Sequence, residues 1–403
     1  MNIAAAILGL ALLIFVHELG HFLASLALGM RPRRFYVGFP PAVWKTTRGG
    51  IEYALGAIPL GGFVKIPGMH RPLAVDADTA FGRVVAEAPG LARDVARVRG
   101  ALEADDYAAV AAALEGMRDS IERTHLSQRG QEAAARGIED LGDAIGRSAY
   151  WRAPTWRRVA VIAAGPLANV ALTIVLVTGL LALTDATATT RVERVAAGSP
   201  AATAGVLAGD RIVSIDGHPV EPKDVAMRVG ASAGRPVALV VERNQARVAL
   251  TPVAARREGT AWRLGVTLGG EPLPPGRAAI SAVELTAAVS LEIARSIGQL
   301  TTSKGREGVA SPIGIVQGSS QAAARGLESF VGVLALLSLS IALLNLLPFL
   351  PLDGGHIVFA AAEAVRRKAV PRVAYERASL IGIGLVLLLF VIGLSNDLER
   401  LGA

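Results

Sequence analysis

A chain of 403 residues that is 52% hydrophobic and only 19% charged, with a positive mean hydropathy, has the composition of a protein rich in membrane-spanning helix rather than of a soluble globule. It contains no cysteine and only six histidines, which excludes disulfides and thiolate zinc sites, so any metal must be held by His, Asp or Glu. No nucleic-acid motif accompanies the net charge of +7; basic residues beside apolar spans read as topology signals, and no nucleic-acid partner is expected.

Crossing a bilayer takes about 20 residues of helix, and four apolar stretches reach or approach that length. The first runs from Ile3 to Gly29. It does not read as a signal peptide, because no basic residue opens it and His17, Glu18 and His21 interrupt its apolar run. From Gly38 to Gly68 the chain is rich in Gly with short apolar runs, including Ile51 to Leu55 and Ile58 to Ile66, and is expected to form a β-hairpin or loop. From about Leu73 to Ser148 it changes to Ala, Arg, Glu and Asp, with apolar residues at helical spacing at Leu91, Val95, Val98 and Leu102 and again at Ile138, Leu141 and Ile145. This predicts a helical insert, a solvated hairpin or partner-docking arm without chemistry of its own.

The second apolar stretch runs from Val159 to Thr184. Beyond it, the next segment opens with Thr190 to Val195 and continues through Gly198 to Ala202 and Ala208 to Gly217, and short β-rich runs follow at Val237 to Glu242, Arg247 to Val253 and Trp262 to Leu268, enough for one domain. Ile280 to Leu300 spaces its apolar residues as an amphipathic helix does, as if lying against the membrane or the domain. The third stretch, Phe330 to Leu347, is ended by Pro348 and Pro351 just before Asp353, Gly354 and Gly355; the fourth runs from Leu380 to Leu394. Arg31, Arg33, Arg34, Lys45 and Arg48 follow the first span, Arg152, Arg157 and Arg158 precede the second, and Arg366, Arg367, Lys368, Arg372 and Arg377 separate the last two. The positive-inside rule therefore places these loops and the insert in the cytoplasm, with the termini and the β-rich domain outside.

Chemistry concentrates in the first span. On a helix, His17 and His21 project from one face and can bind one metal ion, while Glu18, one step round, can reach a water molecule on that metal. This is the logic of the His-Glu-x-x-His zinc motif, with Glu as general base. Ionisable residues at membrane depth cost roughly 2.5–3.5 kcal/mol on insertion scales, so a functional role outweighs the alternative of a polar cluster joining helices. A catalytic zinc normally takes three protein ligands. Asp353 is the favoured third, after a broken helix that membrane proteins tolerate where protein or a wet cavity surrounds it. Two readings compete with it: His356 as the ligand, or Asp353 as a helix cap.

These residues resemble the site-2 proteases, and within them the bacterial regulator-of-sigma-E type. The resemblance rests on His17-Glu18-Leu19-Gly20-His21, Ile58-Pro59-Leu60-Gly61-Gly62-Phe63-Val64-Lys65, Ala164-Gly165-Pro166-Leu167-Ala168-Asn169, Ser311 to Ile315 and the segment from Asn345 to His356. It covers nearly all the chain outside the insert. It implies Zn2+ held by His17, His21 and Asp353, Glu18 as general base, Asn345 as a polar substrate-handling position, and a membrane-dipping hairpin at Gly61 and Gly62 that aligns substrate by strand addition. Thr190 to Gly269 is similar to a PDZ domain, with Gly198-Ser199-Pro200-Ala201 and Gly209-Asp210-Arg211-Ile212 at its signature places. Two departures stand out: the chain has room for one PDZ domain where well-known bacterial members have two, and Leu350 followed by Pro351 replaces the family's Pro at the earlier position.

The expected fold is thus a polytopic α-helical membrane protein of about four transmembrane helices, with a membrane-associated β-hairpin and an extracytoplasmic PDZ-like β-rich domain. Its expected parts are residues 1–71 (first span and hairpin), 72–148 (cytoplasmic insert), 149–186 (second span), 187–270 (PDZ domain), 271–328 (amphipathic connection) and 329–403 (third and fourth spans). The expected activity is zinc-dependent hydrolysis of a peptide bond in or near the transmembrane segment of a single-pass protein in the inner membrane, by analogy an anti-sigma factor. The alternatives are a PDZ-bearing membrane scaffold with a non-catalytic metal site and a membrane-anchored zinc protease acting on soluble polypeptide.

Overall fold

The computed structural model describes residues 2–402 except 186, 260, 300, 301, 303–305 and 307–309. It contains four helices long and apolar enough to cross a membrane, Asn2–Ala27, Thr155–Leu183, Leu327–Asn345 and Arg372–Glu399. Ile3, Leu8, Leu12 and Leu23 of the first, and Leu380, Ile381, Leu387 and Val391 of the last, are exposed, as side chains that face lipid should be. The chain divides into two compact units, residues 1–173 with 288–403, and residues 174–287.

In the first unit, α1 (Asn2–Ala27) leads into β1 (Arg34–Arg48) and β2 (Ile51–Lys65), joined at Gly49 and Gly50. Both glycines have positive φ, 62° and 75°, as a tight two-residue hairpin turn requires. The result is more folded than a simple hairpin, because both strands bend. Arg34 to Val37 pair with Glu52 to Leu55 on one side and with Gly62 to Lys65 on the other, while Ala42 to Arg48 pair with Ile51 to Gly56. Gly38 and Gly56 make the bend: a Cβ on Gly56 would stand 2.3 Å from the Phe39 carbonyl oxygen. The far portion leaves Phe39, Val43, Trp44, Leu55 and Ile58 exposed, an apolar tip suited to lipid.

The insert is a four-helix unit rather than a hairpin: α2 (Ala74–Glu87), α3 (Ala92–Glu103), α4 (Tyr107–Glu122) and α5 (Gln128–Ile145). The helically spaced residues form its core, where Phe81, Val98, Val110 and Met117 are fully buried. Asp106 caps α4 by accepting from the amides of Ala108 and Ala109, and Ser127 caps α5 by accepting from Gly130. The ion pairs that fasten the insert to its surroundings include Asp143 to Arg33 at the base of β1, Asp140 to Lys65 at the end of β2, and Asp76 to Arg372. These pairs line a cavity of about 460 Å³.

After the insert come α6 (Thr155–Leu183), which belongs to this unit as far as Thr173, and, later in the chain, α10 (Pro312–Arg325), α11 (Leu327–Asn345), α12 (Asp353–Arg366) and α13 (Arg372–Gly402). The third span ends at Asn345 rather than Leu347, since a residue preceding proline is pushed out of helical conformation and Pro348 follows. The fourth apolar stretch sits inside the longer α13.

The second unit is β-rich. Strands β3 (Thr187–Val195), β4 (Arg211–Ile215), β5 (Leu239–Arg243), β6 (Ala246–Ala249) and β7 (Val266–Glu271) lie in one six-stranded sheet in the order β7-β3-β4-β5-β6, with the short strand His218–Pro219 also paired to β4. Two short helices accompany it, α7 (Pro200–Ala204) and α8 (Pro222–Ala231). Val192, Ile212, Ile215, Val225, Leu239 and Val241 make the core. Arg243 donates twice to Asp210, at 2.8 Å each, and once to the Gly205 carbonyl at 2.7 Å, tying β5 to the turn before β4. Asp210 is buried, and its hydrogen bonds from Arg243 hold its carboxyl below the usual carboxylate range. The predicted amphipathic helix is α9 (Pro275–Gly298); Ala278, Ala282 and Thr286 are buried while Ile280, Val283, Leu285 and Leu291 are exposed. Leu300, the predicted end of that helix, lies outside the described residues.

Candidate metal centre

The site is built on close helix contacts that only small residues permit. A Cβ on Gly20 of α1 would lie 2.4 Å from the Ala164 carbonyl oxygen of α6, and one on Gly165 would lie 2.2 Å from Nε2 of His21. These glycines let α1 and α6 approach until the His21 ring rests on the α6 backbone. There Nδ1 of His21 donates to the Val161 carbonyl oxygen at 2.9 Å. That bond places the ring proton on Nδ1 and leaves a lone pair on Nε2 facing inward.

Asp353 arrives from the opposite side. After α11 ends, the chain turns through Leu346 to Leu352 and restarts as α12, whose N-cap position is Leu352. Asp353 is therefore the first residue of the helix and not its cap. Gly354 and Gly355 allow α12 to start hard against the turn: a Cβ on Gly354 would be 2.3 Å from the carbonyl oxygens of Leu346 and Leu347. Further along, Glu363 of α12 accepts from Arg158 of α6 at 2.7 Å, fixing the helix that carries Asp353 to the one that carries Val161 and Gly165.

Three lone-pair atoms converge. Oδ2 of Asp353 lies 3.2 Å from Nε2 of His17 and 3.3 Å from Nε2 of His21, and the two Nε2 atoms are 3.3 Å apart. Zinc bonds of 2.0–2.1 Å to nitrogen and oxygen in a tetrahedron set neighbouring ligand atoms about 3.3 Å apart, which is the spacing of this triangle. Oδ2 of Asp353 is buried without a hydrogen-bond partner among the described residues, although a carboxylate oxygen so placed needs a cation or a donor. Both His side chains are buried as well. Among the described residues this is the one group of His, Asp and Glu able to hold a metal; His356, the rival ligand, is not in it.

Glu18 points from α1 toward the sheet. A Cβ on Gly62 would stand 2.9 Å from Cγ of Glu18 and 3.5 Å from its carboxylate carbon. Gly62 to Lys65 thus runs past Glu18, and among the described residues this segment is paired on one side only, with Arg34 to Val37. Gly61 faces elsewhere: its Cβ would meet the Phe39 ring at 2.2 Å. Asn345 is the last residue of α11, half-buried, and its side chain makes no hydrogen bond among the described residues. The geometry thus gathers His17, His21, Asp353, Glu18 and Gly62, and leaves Asn345 and Gly61 at the margins. The Val161 carbonyl was not foreseeable, because a backbone acceptor carries no side-chain signature; Gly165 stood in a motif whose meaning needed the partner helix.

Comparison with known proteins agrees with this geometry. The model of a family described as peptidase family M50 matches residues 5–389. The protein Atu1380 of Agrobacterium fabrum, whose name assigns it provisionally to the zinc metalloproteases, is 32% identical over 98% of this chain and 95% of its own length. The regulator of sigma-E protease RseP of Salmonella typhimurium is 30% identical over 99% of both chains, and metalloprotease MmpA of Caulobacter vibrioides is 29% identical over 97% of this chain and 94% of its own. The four spans and the His-His-Asp cluster make this chain a multi-pass membrane protein with a zinc site, and it belongs to peptidase family M50, the site-2 protease family of zinc metalloproteases.

Proposed function

We propose that this zinc metalloprotease cuts single-pass membrane proteins in or near their transmembrane segments, after a first cut has trimmed the part outside. The observation that carries the reading is the triangle of His17, His21 and Asp353 with Glu18 beside it, built on helices apolar enough to lie in a bilayer. Bound by those three residues, zinc supplies a Lewis acid for the scissile carbonyl and lowers the pKa of water at the site. Glu18 takes the proton of the attacking water and passes it to the leaving amine.

A helical substrate hides its carbonyls in hydrogen bonds, so it must unwind before cleavage. The half-paired segment Gly62 to Lys65 supports strand addition as the way an extended substrate is held beside Glu18. Gly61 keeps the neighbouring backbone free of side chain, and Asn345 holds a substrate backbone group from the end of α11. Residues 187–270 act as one PDZ domain, a reading supported by the six-stranded sheet, Ser199 capping α7 and the Gly209-Asp210 turn before β4. That domain excludes intact ectodomains or binds a trimmed tail. The basic flanks support an orientation with termini and PDZ domain outside the cytoplasm and residues 72–148 within it. By analogy with the regulator of sigma-E proteases, an anti-sigma factor is the kind of substrate to look for.

The test is to reconstitute the full chain in vesicles with a single-span protein whose outer tail is already trimmed, and to compare it with Glu18→Gln. Cleavage by the parent, reduced at least about a hundredfold in the variant while zinc stays bound, is the expected result. Equal cleavage by both would overturn the proposed role of Glu18.

A further inference from the structure

We infer that Asn169 is a positioning residue of the metal centre, its side-chain oxygen accepting the Nδ1 proton of His17 as the Val161 carbonyl accepts that of His21. The inference rests on the zinc site described above and goes beyond its three ligands. For Nε2 of each His to offer a lone pair, Nδ1 must carry the proton, and a buried N–H needs an acceptor. His21 has one, at 2.9 Å. Nδ1 of His17 is buried with no partner among the described residues.

The complement lies on α6. Asn169 is fully buried, and both polar atoms of its side chain are without a hydrogen-bond partner among the described residues. Burying a primary amide unsatisfied is costly, and nothing in the packing of α6 on α11 requires one. The bonds across that seam use main-chain carbonyls: Asn169 accepts from Ser338 at 2.9 Å and Ala335 accepts from Thr173 at 3.2 Å.

Helix directions bring the two orphans to one level. Thr173 meets Ala335 and Asn169 meets Ser338, so α6 runs against α11. Gly9 meets Phe330 and Leu334 near the start of α11, and His17 and His21 meet Asp353 just beyond its end, so α1 runs with α11 and against α6. One turn back along α1, from His21 to His17, therefore corresponds to one turn forward along α6, from Gly165 to Asn169. Val161, Gly165 and Asn169 are spaced four apart and share one face. Val161 serves His21, Gly165 makes room for its ring, and Asn169 stands next in the row, where a rotation of its amide presents Oδ1 to His17. The remaining Nδ2 donors are then available to a water or a substrate carbonyl.

The experiment measures zinc affinity of the full chain in detergent by competition with a chelator, for the parent, Asn169→Ala, Asn169→Asp and Ser338→Ala. Loss of the acceptor in Asn169→Ala should weaken zinc binding roughly tenfold to a hundredfold. Asn169→Asp keeps an acceptor and should retain parental affinity or exceed it, and Ser338→Ala, which alters only the seam, should match the parent. In zinc-loaded protein labelled with 15N-histidine, the His17 Nδ1 proton should move downfield in Asn169→Asp, because a carboxylate is the stronger acceptor. Unchanged affinity in Asn169→Ala overturns the inference; should that variant fail to fold, an unmoved His17 proton in Asn169→Asp overturns it equally. Failure of the metal centre itself reads differently: the parent would then bind no zinc, or His17→Ala would keep it.

Discussion

A Cβ added to Gly62 would lie 2.9 Å from Cγ of Glu18 and 2.7 Å from the Tyr36 carbonyl oxygen, so the bent sheet and the zinc-motif helix meet where only hydrogen fits. Gly62→Val should push Glu18 or the strand aside without touching a metal ligand. A misplacement of that size is expected to cost about a hundredfold in kcat/KM, with zinc content unchanged. Measuring zinc alongside cleavage of a single-span substrate checks this, and loss of zinc would show instead that Gly62 supports the metal centre.

Gly165 makes the opposite prediction. Its Cβ would stand 2.2 Å from Nε2 of His21, so Gly165→Ala should drive the ring out of line and weaken zinc affinity by roughly ten- to a hundredfold, the range seen when groups that orient a ligand are changed. Chelator competition on the purified chain reads this directly. Because α6 carries the Gly, the effect should appear with all three ligand residues intact.

The ion pairs of the insert join it to the base of the bent sheet, through Arg33 and Lys65, which are hydrogen-bonded neighbours, and to α13 through Arg372. If the insert braces the sheet, Asp143→Ala with Asp140→Ala should speed backbone hydrogen exchange in Gly62 to Lys65 by about tenfold while leaving the core around Phe81 and Met117 protected. Exchange followed by mass spectrometry on the intact chain distinguishes the two regions.

Asp210 provides a prediction about pH. Its carboxyl is held below its ordinary value by the hydrogen bonds from Arg243, so folding favours the charged form. The stabilisation it contributes is present above the unfolded carboxylate pKa of about 3.9 and is lost as pH falls through the lower folded value. Arg243→Ala should lower the stability of residues 174–287 at neutral pH and flatten its decline in acid, as measured by hydrogen exchange of that region between neutral and acidic pH. An acid decline as steep as the parent's would mean that Asp210 is not held by Arg243.

Much of this was legible in the amino-acid sequence because membrane burial leaves strong marks. Long apolar runs announce spans, and His17, Glu18 and His21 stand out against one. Four-residue spacing alone puts the two His on one face. What stayed hidden depends on contacts between distant segments. Periodicity at Val95, Val98 and Leu102 reveals helix but not that four helices close on a common core. Short apolar runs among glycines in Ile51 to Ile66 point to a hairpin or loop, but not to Arg34 to Val37 being paired on both sides. The choice between Asp353 and His356 needed the turn at Leu346 to Leu352, whose path local propensity does not determine, and Asn169 became notable only once its amide proved to be buried.

His17, His21 and Asp353 together should hold one zinc ion. The most direct measurement is zinc per chain in purified parent, Asp353→Ala and His356→Ala proteins. About one zinc is expected in the parent and in His356→Ala, as for a site of three protein ligands, and its loss in Asp353→Ala. Zinc retained in Asp353→Ala and lost in His356→Ala would contradict that ligand set.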